Sequence, residues 1–327
     1  MEFSILADAF SKMESTTKRL ELTQHLVELF EKTPQDVISR IVYLLQGKLR
    51  PDFEGIELGV AERLAIRAIA KSAGSDNAEK NIESEYRKSG DLGHAASKIL
   101  EQKEQTTFMV QDITVERVYE NLFTIAKLEG SKTQDRKMKY ISGLLNDASP
   151  VEAKFILKIL LGTLRLGVAE NTVMDALAIA FTGNKENRKI LEYAYNVSSD
   201  LGKVAETIAS KGLAGIEGFE INLFNPIRPM LADRVKSEEE AIEKLGIKFA
   251  AEYKLDGERV QLHIEGEKVV LFSRSLENIT SYYPDIVEKI PKAIQAHKVI
   301  LEAEAVAINE NTGEFLPFQE LMHRRRK

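Results

Sequence analysis

The chain has 327 residues, of which 43% are hydrophobic and 29% charged, and it contains no cysteine. This length exceeds that of one ordinary domain, so two hydrophobic cores are expected. The absence of cysteine excludes disulfides, thiolate catalysis and cysteine-ligated metal, and the 5 histidines lack the spacing of a zinc site. No secretory signal or membrane-spanning apolar run is present, which favours a cytoplasmic protein. The formal net charge of −6 disfavours a nucleic-acid partner unless basic residues gather on one face.

The first two thirds of the chain have a helical pattern. Up to about residue 216, apolar residues recur three and four positions apart, as they do over residues 156–161. Breaks rich in Gly, Pro and Ser divide this region into about ten helices. The Thr-Pro pair at residues 33–34 and the Ser-Pro pair at residues 149–150 each predict a helix N-cap followed by a proline in the first turn. We therefore predict an all-α domain over residues 1–217.

The composition changes between residues 215 and 233, where glycines and prolines interrupt any helix. Helical spacing returns over residues 282–294. Alternating or continuous apolar residues with β-branched side chains predict strands over residues 247–253, 259–264, 268–272 and 299–308. Residues 218–327 are therefore expected to form an α+β domain with mainly antiparallel neighbours. Its last apolar segment runs directly into the basic cluster at residues 323–327, so we expect the domain to be truncated.

The second domain places a lysine, a turn and an arginine in succession. Lys254 ends a predicted strand, Asp256 and Gly257 form a turn signal, and Arg259 opens the next strand. Such a hairpin presents an amine beside a guanidinium. A neighbouring cation in a partly dry pocket lowers the pKa of a lysine and makes its neutral amine a nucleophile. An exposed lysine beside an ordinary β-turn explains this short string equally well.

Two further features lie on later strands of the second domain. Arg274 stands at the end of one predicted strand. The apolar run over residues 299–307 predicts a buried strand, yet it contains Glu302 and Glu304. Buried acids are rare unless they pair with a cation or a metal, so at least one of these carboxylates should face a polar site.

These segments resemble the motifs of the covalent nucleotidyltransferases, the superfamily of ATP-dependent DNA ligases, RNA ligases and mRNA capping enzymes. Glu-Tyr-Lys-Leu-Asp-Gly-Glu-Arg at residues 252–259 is similar to the nucleotidyl-lysine motif. Ser-Arg-Ser at residues 273–275 resembles the second motif, and residues 301–307 resemble the third. The third motif departs from its usual form because Ala303 replaces the common glycine. Residues 317–327 resemble the segment that follows in archaeal and eukaryotic replicative DNA ligases.

The helical half separates the DNA ligases from their relatives. Residues 47–60 and 164–173 look like signature stretches of the N-terminal DNA-binding domain of archaeal and eukaryotic DNA ligases, which RNA ligases and capping enzymes lack. The resemblance implies an all-α DNA-binding domain followed by the N-terminal half of an α+β nucleotidyltransferase domain. It also implies further motifs and an OB-fold domain that this sequence does not contain, so the chain is expected to be a fragment.

The resemblance assigns roles to residues of both domains. It implies that Lys254 attacks ATP, forms lysyl-AMP and passes AMP to the 5′-phosphate of a nick in duplex DNA, with Mg²⁺ as the metal. Glu252 would hold the adenine, Arg259 and Arg274 the ribose or phosphates, and Glu304 the ribose or the metal. Gly55, Gly59, Arg165 and Gly167 would contact DNA phosphates.

Other interpretations stay open at this stage. Without the resemblance, the helical stretches are better explained as an ordinary helix terminus and a surface turn. The chain could also bind nicks while Lys254 stays inert, or transfer nucleotides as an RNA ligase or capping enzyme does, or act as a helical scaffold. The resemblance implies a cytoplasmic, nucleoid-associated protein, and the sequence leaves open a sliding clamp as a further partner.

Overall fold

The computed structural model describes residues 1–75, 77–102, 112–130 and 133–326, without the side chains of Arg325 and Arg326. Their contacts divide the chain into two compact units. The first, which we call the helical unit, comprises Met1–Pro51, Gly55–Tyr195 and Asp200–Phe219; the second, the sheet unit, comprises Asp52–Glu54, Asn196–Ser199 and Glu220–Lys327. Within the described residues, no helix has both the length and the apolar character needed to cross a membrane.

The first part of the chain is helical, as predicted. Up to Glu217 the described residues contain twelve α-helices rather than about ten. One extra break lies at Ser199, which has a positive φ of 53° but is neither glycine nor proline, so composition did not reveal it. The helices are α1 Phe3–Glu14, α2 Arg19–Glu31, α3 Ile38–Leu45, α4 Glu62–Ala73, α5 Ala78–Ser89, α6 Leu92–Glu101, α7 Val115–Lys127, α8 Thr133–Asp147, α9 Pro150–Leu160, α10 Glu170–Thr182, α11 Arg188–Ser198 and α12 Leu201–Glu217.

The helical unit has one continuous core, to which each helix contributes an apolar face. In α1 the buried residues Phe3, Leu6, Phe10 and Met13 recur at intervals of three and four, and the rings of Phe10 and Phe155 meet edge to face at 5.3 Å between centroids. Fully burying each of these side chains contributes about 1.5–3 kcal/mol. The core therefore holds together helices that would be marginal in isolation.

The two predicted helix caps have different outcomes. Ser149 forms a full capping box with Glu152 at the start of α9, and Pro150 lies in the first turn, which confirms that prediction. The prediction for Thr33 is wrong, because its hydroxyl donates to the carbonyl of Leu29 at 2.7 Å and so closes the end of α2. The next helix begins only at Ile38.

The sheet unit is an α+β structure, as predicted. Its three antiparallel strands are β1 Glu258–Glu265, β2 Lys268–Ser273 and β3 Lys298–Ala305, and they lie in the order β2-β1-β3, with β1 in the centre. The apolar side chains of β1 form a small core with Tyr283 and with partly buried residues of the following helix. The α-helices are α13 Glu238–Leu245, α14 Pro284–Ala293 and α15 Gln319–Met322.

Two predictions for the sheet are wrong. Residues 247–253 do not form a strand. A strand needs a neighbour for its backbone hydrogen bonds, and β1 already has one on each side, so only the outer edges of β2 and β3 remain. The described residues add no strand at either edge. The predicted buried strand, β3, is an edge strand that is half exposed along its length, so the apolar run did not indicate burial here.

The basic cluster at the end of the second domain is only partly described. Arg324 donates two hydrogen bonds to the carboxylate of Asp285 at 2.6 and 3.0 Å, and its guanidinium lies 5.2 Å from the ring centroid of Tyr283. Arg324 is thus attached to the start of α14. Lys327 and the side chains of Arg325 and Arg326 lie outside the described residues.

Candidate active site

The sheet has one apolar face and one polar face. Val260, Leu262 and Ile264 of β1 belong to the core of the sheet unit. The alternate residues point the other way, and their strand partners on β3 are Glu304 for Arg259, Glu302 for Gln261 and Ile300 for His263. Two carboxylates, a guanidinium, an amide and an imidazole therefore lie together on one face of β1 and β3.

The two glutamates on this face differ in their partners. Glu302 accepts hydrogen bonds from Arg259 and, at 2.9 Å, from the side-chain amide of Gln261. Glu304 is half-buried, and among the described residues it has no recorded hydrogen bond or ion pair. A carboxylate has acceptor sites for several donors, so Glu304 is the one on this face that is available to a ligand.

Gly257 brings the lysine motif against β3. A Cβ atom at this position would lie 2.3 Å from the carbonyl oxygen of Ala305 and 2.8 Å from Cγ of Glu304. Neither distance permits a side chain, so only glycine allows the backbone of the motif to pack there. The approach places the turn that follows Lys254 directly beside the available carboxylate.

Lys254 and Glu252 lie on an irregular, exposed segment rather than at the end of a strand. Tyr253 between them is 95% exposed. Among the described residues, neither Lys254 nor Glu252 has a recorded side-chain partner, so the partly dry pocket expected around the lysine is not formed by this part of the chain. The strand predicted to carry Lys254 is absent, and the exposure of the segment agrees with the alternative of an exposed lysine beside a turn.

Arg274 lies at the same end of the sheet as Arg259. The register pairs Ser273 with Val260, so β2 ends where β1 begins. A tight turn follows, in which the backbone N–H of Ser273 donates to the backbone carbonyl of Glu277 at 2.9 Å. Leu276 in this turn has a positive φ of 69°. This turn leaves Arg274 exposed, without a recorded partner among the described residues. Arg259, Arg274 and Glu304 therefore share one end of the sheet.

Sequence reasoning missed three residues of this region. Gln261 and His263 are buried in the polar face, and the buried Glu258 accepts a hydrogen bond from the Tyr283 hydroxyl at 2.5 Å. The signal was present: polar residues alternate with apolar ones along β1, so both faces are specified. Only the apolar half of that pattern was used.

The four DNA-binding candidates, Gly55, Gly59, Arg165 and Gly167, lie on two exposed loops of the helical unit. One loop leads into α4 and the other into α10. Along both, alternate apolar residues pack against the core and the residues between them face solvent. The core-facing residues are Ile56, Leu58 and Val60 in the first loop and Leu164, Leu166 and Val168 in the second.

The two loops share a sequence and a local structure. Leu-Gly-Val-Ala-Glu occurs at residues 58–62 and again at residues 166–170. In both copies the alanine is the helix N-cap and provides no side-chain hydrogen bond, so the first-turn amides of α4 and α10 are not capped by it. Both glutamates accept a hydrogen bond from a tyrosine hydroxyl, Glu62 from Tyr86 and Glu170 from Tyr195. Uncapped amides at a helix N-terminus are suited to bind anions.

Comparisons with known proteins match both units. The family described as DNA ligase N terminus matches residues 2–178, more than half of the chain, and the ATP dependent DNA ligase domain matches residues 229–327. A DNA ligase of Nitrosopumilus maritimus is 82% identical over 327 residues, and one of Cenarchaeum symbiosum is 68% identical over 327 residues. A protein named DNA ligase 2 from Thermofilum pendens is 49% identical over 334 residues.

Each of these relatives matches all of this chain, while the chain spans 55% of the relative's own length. Both family matches are to parts of the same kind of enzyme, and they occur in the order in which the helical and sheet units follow each other. The chain therefore belongs to the family of ATP-dependent DNA ligases.

Proposed function

We propose that the protein represented by this chain seals nicks in duplex DNA with ATP, through AMP attached to Lys254. In this proposal residues 1–217 bind DNA, and residues 218–327 are the N-terminal half of the adenylation domain. The observation that carries it is the packing of Gly257 against β3, which brings the turn after Lys254 to the available carboxylate of Glu304.

The first step needs a nucleophile and positive charge around the reacting phosphate. Nζ of Lys254, once it has lost a proton, attacks the α-phosphorus of ATP. An N–P bond forms, the P–O bond to pyrophosphate breaks, and pyrophosphate leaves. Arg259 and Arg274, at one end of the sheet, would hold the ribose or the phosphates. Glu252, close to Lys254 in the chain, would contact the adenine.

The polar face offers one carboxylate that could hold a magnesium ion. Magnesium is usually held by one or two carboxylates together with substrate phosphates and waters. Glu304 provides one such carboxylate, whereas the part of the chain that the structure describes has no group of three His, Asp or Glu side chains arranged around a metal. When bound, the ion supplies neutralisation of charge on phosphate oxygens. Glu304 would hold it, or alternatively the ribose.

The later steps need DNA held at the nick. An oxygen of the 5′-phosphate attacks the α-phosphorus of lysyl-AMP, so a P–O bond forms, the N–P bond breaks and the amine of Lys254 leaves. The 3′-hydroxyl then loses its proton and attacks the 5′-phosphorus, so a phosphodiester bond forms and AMP leaves. We assign the grip on the backbone to Gly55, Gly59, Arg165 and Gly167. Exposed glycines and the uncapped N-termini of α4 and α10 support this assignment, because backbone amides contact phosphates regardless of base sequence. Nothing on the described surface favours a sliding clamp over other protein partners.

The test is labelling with α-³²P ATP and magnesium, read as label retained on denatured protein. Wild type is compared with Lys254→Ala and with Lys248→Ala, which removes another exposed lysine of the same irregular segment. We expect label on wild type and Lys248→Ala and none on Lys254→Ala. Label that persists in Lys254→Ala contradicts the assignment of the nucleophile.

A second candidate function is nick binding without nucleotide transfer, which the exposure of Lys254 favours. It predicts an unlabelled wild-type chain that still binds a nicked duplex more tightly than single-stranded DNA. Labelling of a longer chain of the same protein separates the two functions. If the longer chain also stays unlabelled, the ligase proposal is wrong.

A further inference from the structure

Residues 222–227 form an irregular segment, which we call the arch, that is held over the polar face by side chains of β1. The N–H of Phe224 donates to Nδ1 of His263 at 2.8 Å, and the N–H of Ile227 donates to Oε1 of Gln261 at 2.7 Å. The ring of Phe224 lies 3.7 Å from Nζ of Lys268. Phe224 has a positive φ of 69°, an unfavourable conformation for a residue with a side chain. Strain of this kind persists only where the surrounding contacts impose it.

His263 has a defined tautomer. It is fully buried, and burial lowers its pKa to about 4, so the ring is neutral near pH 7. Because Nδ1 accepts from Phe224, the single ring proton lies on Nε2, which donates to Oε1 of Gln261 at 2.9 Å. The ring also meets Phe272 edge to face at 5.0 Å between centroids.

Gln261 uses every hydrogen-bonding site of its amide. Its Oε1 accepts from His263 and from the N–H of Ile227, while Nε2 donates to the carbonyl of Ile227 at 3.0 Å and to Oε1 of Glu302 at 2.9 Å. Reversing the amide would break all of these bonds, so its orientation is determined. Glu302 in turn accepts from Arg259 with its other oxygen.

We infer that Gln261 and His263 are positioning residues that link the arch to the Glu302–Arg259 pair and so fix the direction of the Arg259 guanidinium. A hydrogen-bond network that only stabilises the core would contain buried side chains throughout. This network instead ends at an arginine that is 32% exposed and lies across the register from Glu304. The consequence for nucleotide binding rests on the proposed function, in which Arg259 holds the ribose or phosphates of ATP.

The network is tested on the full chain by NMR of the Arg259 guanidinium and by hydrogen exchange of the Phe224 and Ile227 amides. Gln261→Met removes all four bonds of the amide. Gln261→Glu keeps an acceptor for His263 and Ile227 but places a carboxylate against Glu302. The control, Thr280→Val, removes a hydroxyl that accepts from the N–H of Leu271 at 3.0 Å elsewhere in the same sheet.

We expect the Arg259 guanidinium to become mobile in both Gln261 variants and to stay ordered in the control. The Ile227 amide should exchange about tenfold faster in Gln261→Met, which corresponds to the loss of one hydrogen bond. The Phe224 amide should stay protected in Gln261→Glu. Identical guanidinium signals in wild type and both Gln261 variants would overturn the inference, as would an Arg259 that is already mobile in wild type.

The consequence for nucleotide binding is measured by labelling with ATP. We expect Gln261→Glu to raise the KM for ATP about tenfold, the effect of one lost charged hydrogen bond, while Thr280→Val keeps the wild-type KM. An unchanged KM in Gln261→Glu contradicts the role of the network in binding. If the wild-type chain takes no label, the KM comparison is made on the longer chain of the same protein. Failure of that longer chain to label contradicts the proposed function alone, because the guanidinium signals still decide whether the network positions Arg259.

Discussion

At the scale of single residues, the polar face of the sheet depends on two close contacts. One requires a residue without a side chain, and the other requires a neutral imidazole ring. Gly257 lets the lysine motif touch the backbone of Ala305, and the neutral ring of His263 receives the N–H of Phe224. The Gly257 contact depends on the absence of a side chain, and the His263 contact depends on the protonation state of the ring. Each can be changed separately.

The steric contact predicts the effect of Gly257→Ala. The added methyl would lie 2.3 Å from a backbone oxygen, so the motif or the end of β3 must shift. We expect a loss of about 1–3 kcal/mol in unfolding free energy, as for an overpacked site, and a fall of about 100-fold in labelling of Lys254. Urea unfolding and the labelling assay measure the two effects. Gly218→Ala is the control, because its Cβ meets only an ordinary contact at 3.5 Å; equal losses in both variants would contradict the steric argument.

The buried histidine predicts a pH dependence. The pKa of His263 is lowered from 6.5 to about 4 in the folded state, so between these values the unfolded state binds more protons. Stability contributed by the neutral ring is complete above pH 6.5 and is lost as the pH falls towards 4. We expect a loss of about 2–3 kcal/mol over this window, beyond the contribution of the carboxylates. Unfolding of His263→Gln across the same pH range should show a shallower slope, and equal slopes would rule out this origin.

At the scale of elements, helix ends and strand partners decide which sequence patterns become structure. The predicted caps show the limit of local signals. Ser149 and Thr33 have the same pattern, a hydroxyl residue before proline, but only Ser149 is followed three residues later by a glutamate that completes the box. The hydroxyl of Thr33 finds the carbonyl of Leu29 instead. The glutamate distinguishes these two Xaa-Pro sites, although Thr114 and Asp200 cap α7 and α12 without one.

Ser149→Ala should lower the unfolding free energy of the chain by about 1 kcal/mol, because the backbone N–H of Glu152 in the first turn of α9 loses its acceptor when the hydroxyl is removed. Chemical denaturation measures it. Ser210→Ala is a fair comparison, since its exposed hydroxyl only donates to the carbonyl of Glu206 within α12. A change in the control as large as that in Ser149→Ala would remove the cap as the explanation.

The fold could be predicted from sequence wherever the spacing of apolar residues within one helix or strand is sufficient to identify it. Periodicity was sufficient for the helical character of the first domain and for α14, β1 and β2, whereas α13 and α15 were not predicted. It failed for residues 247–253, because alternation shows that a segment is amphipathic and does not show whether a neighbouring strand is present. In the candidate site, too, local patterns could be interpreted and contacts between distant residues could not. Residue types pointed to Glu304 and Arg259, whereas the contacts of Gln261 with the arch join residues more than thirty positions apart and could not be read locally.

At the scale of the whole molecule, the net charge of −6 has to be reconciled with the proposed binding to DNA. The repeated loops suggest how. Their shared Leu-Gly-Val-Ala-Glu sequence places glycines and helix N-termini at the surface. The residue before this sequence differs between the copies: it is Arg165 in one loop and Glu57 in the other. The two loops are therefore unequal in charge although they are alike in structure.

This asymmetry predicts opposite effects of two substitutions on binding to nicked DNA. Arg165→Ala should weaken binding and reduce the salt dependence by about one counterion, whereas Glu57→Arg should strengthen binding and increase the salt dependence by about one. Fluorescence anisotropy across a salt series measures both. Lys189→Ala, an exposed lysine of α11, is the control and should leave the slope unchanged. If Glu57→Arg has no effect on affinity or slope, that loop does not lie near DNA.

Under the proposed function, the N-termini of α4 and α10, which have no hydrogen bond from the side chains of their N-cap alanines, also affect how the protein searches for nicks. A backbone amide can hold a phosphate without carrying a net charge, so it attracts DNA only at hydrogen-bonding range. An acidic chain that grips in this way would be repelled at a distance and held only where the groove fits both loops. Such a protein would spend little time on intact duplex that does not match its surface, and its residence time would depend more on the shape of the DNA than on its charge.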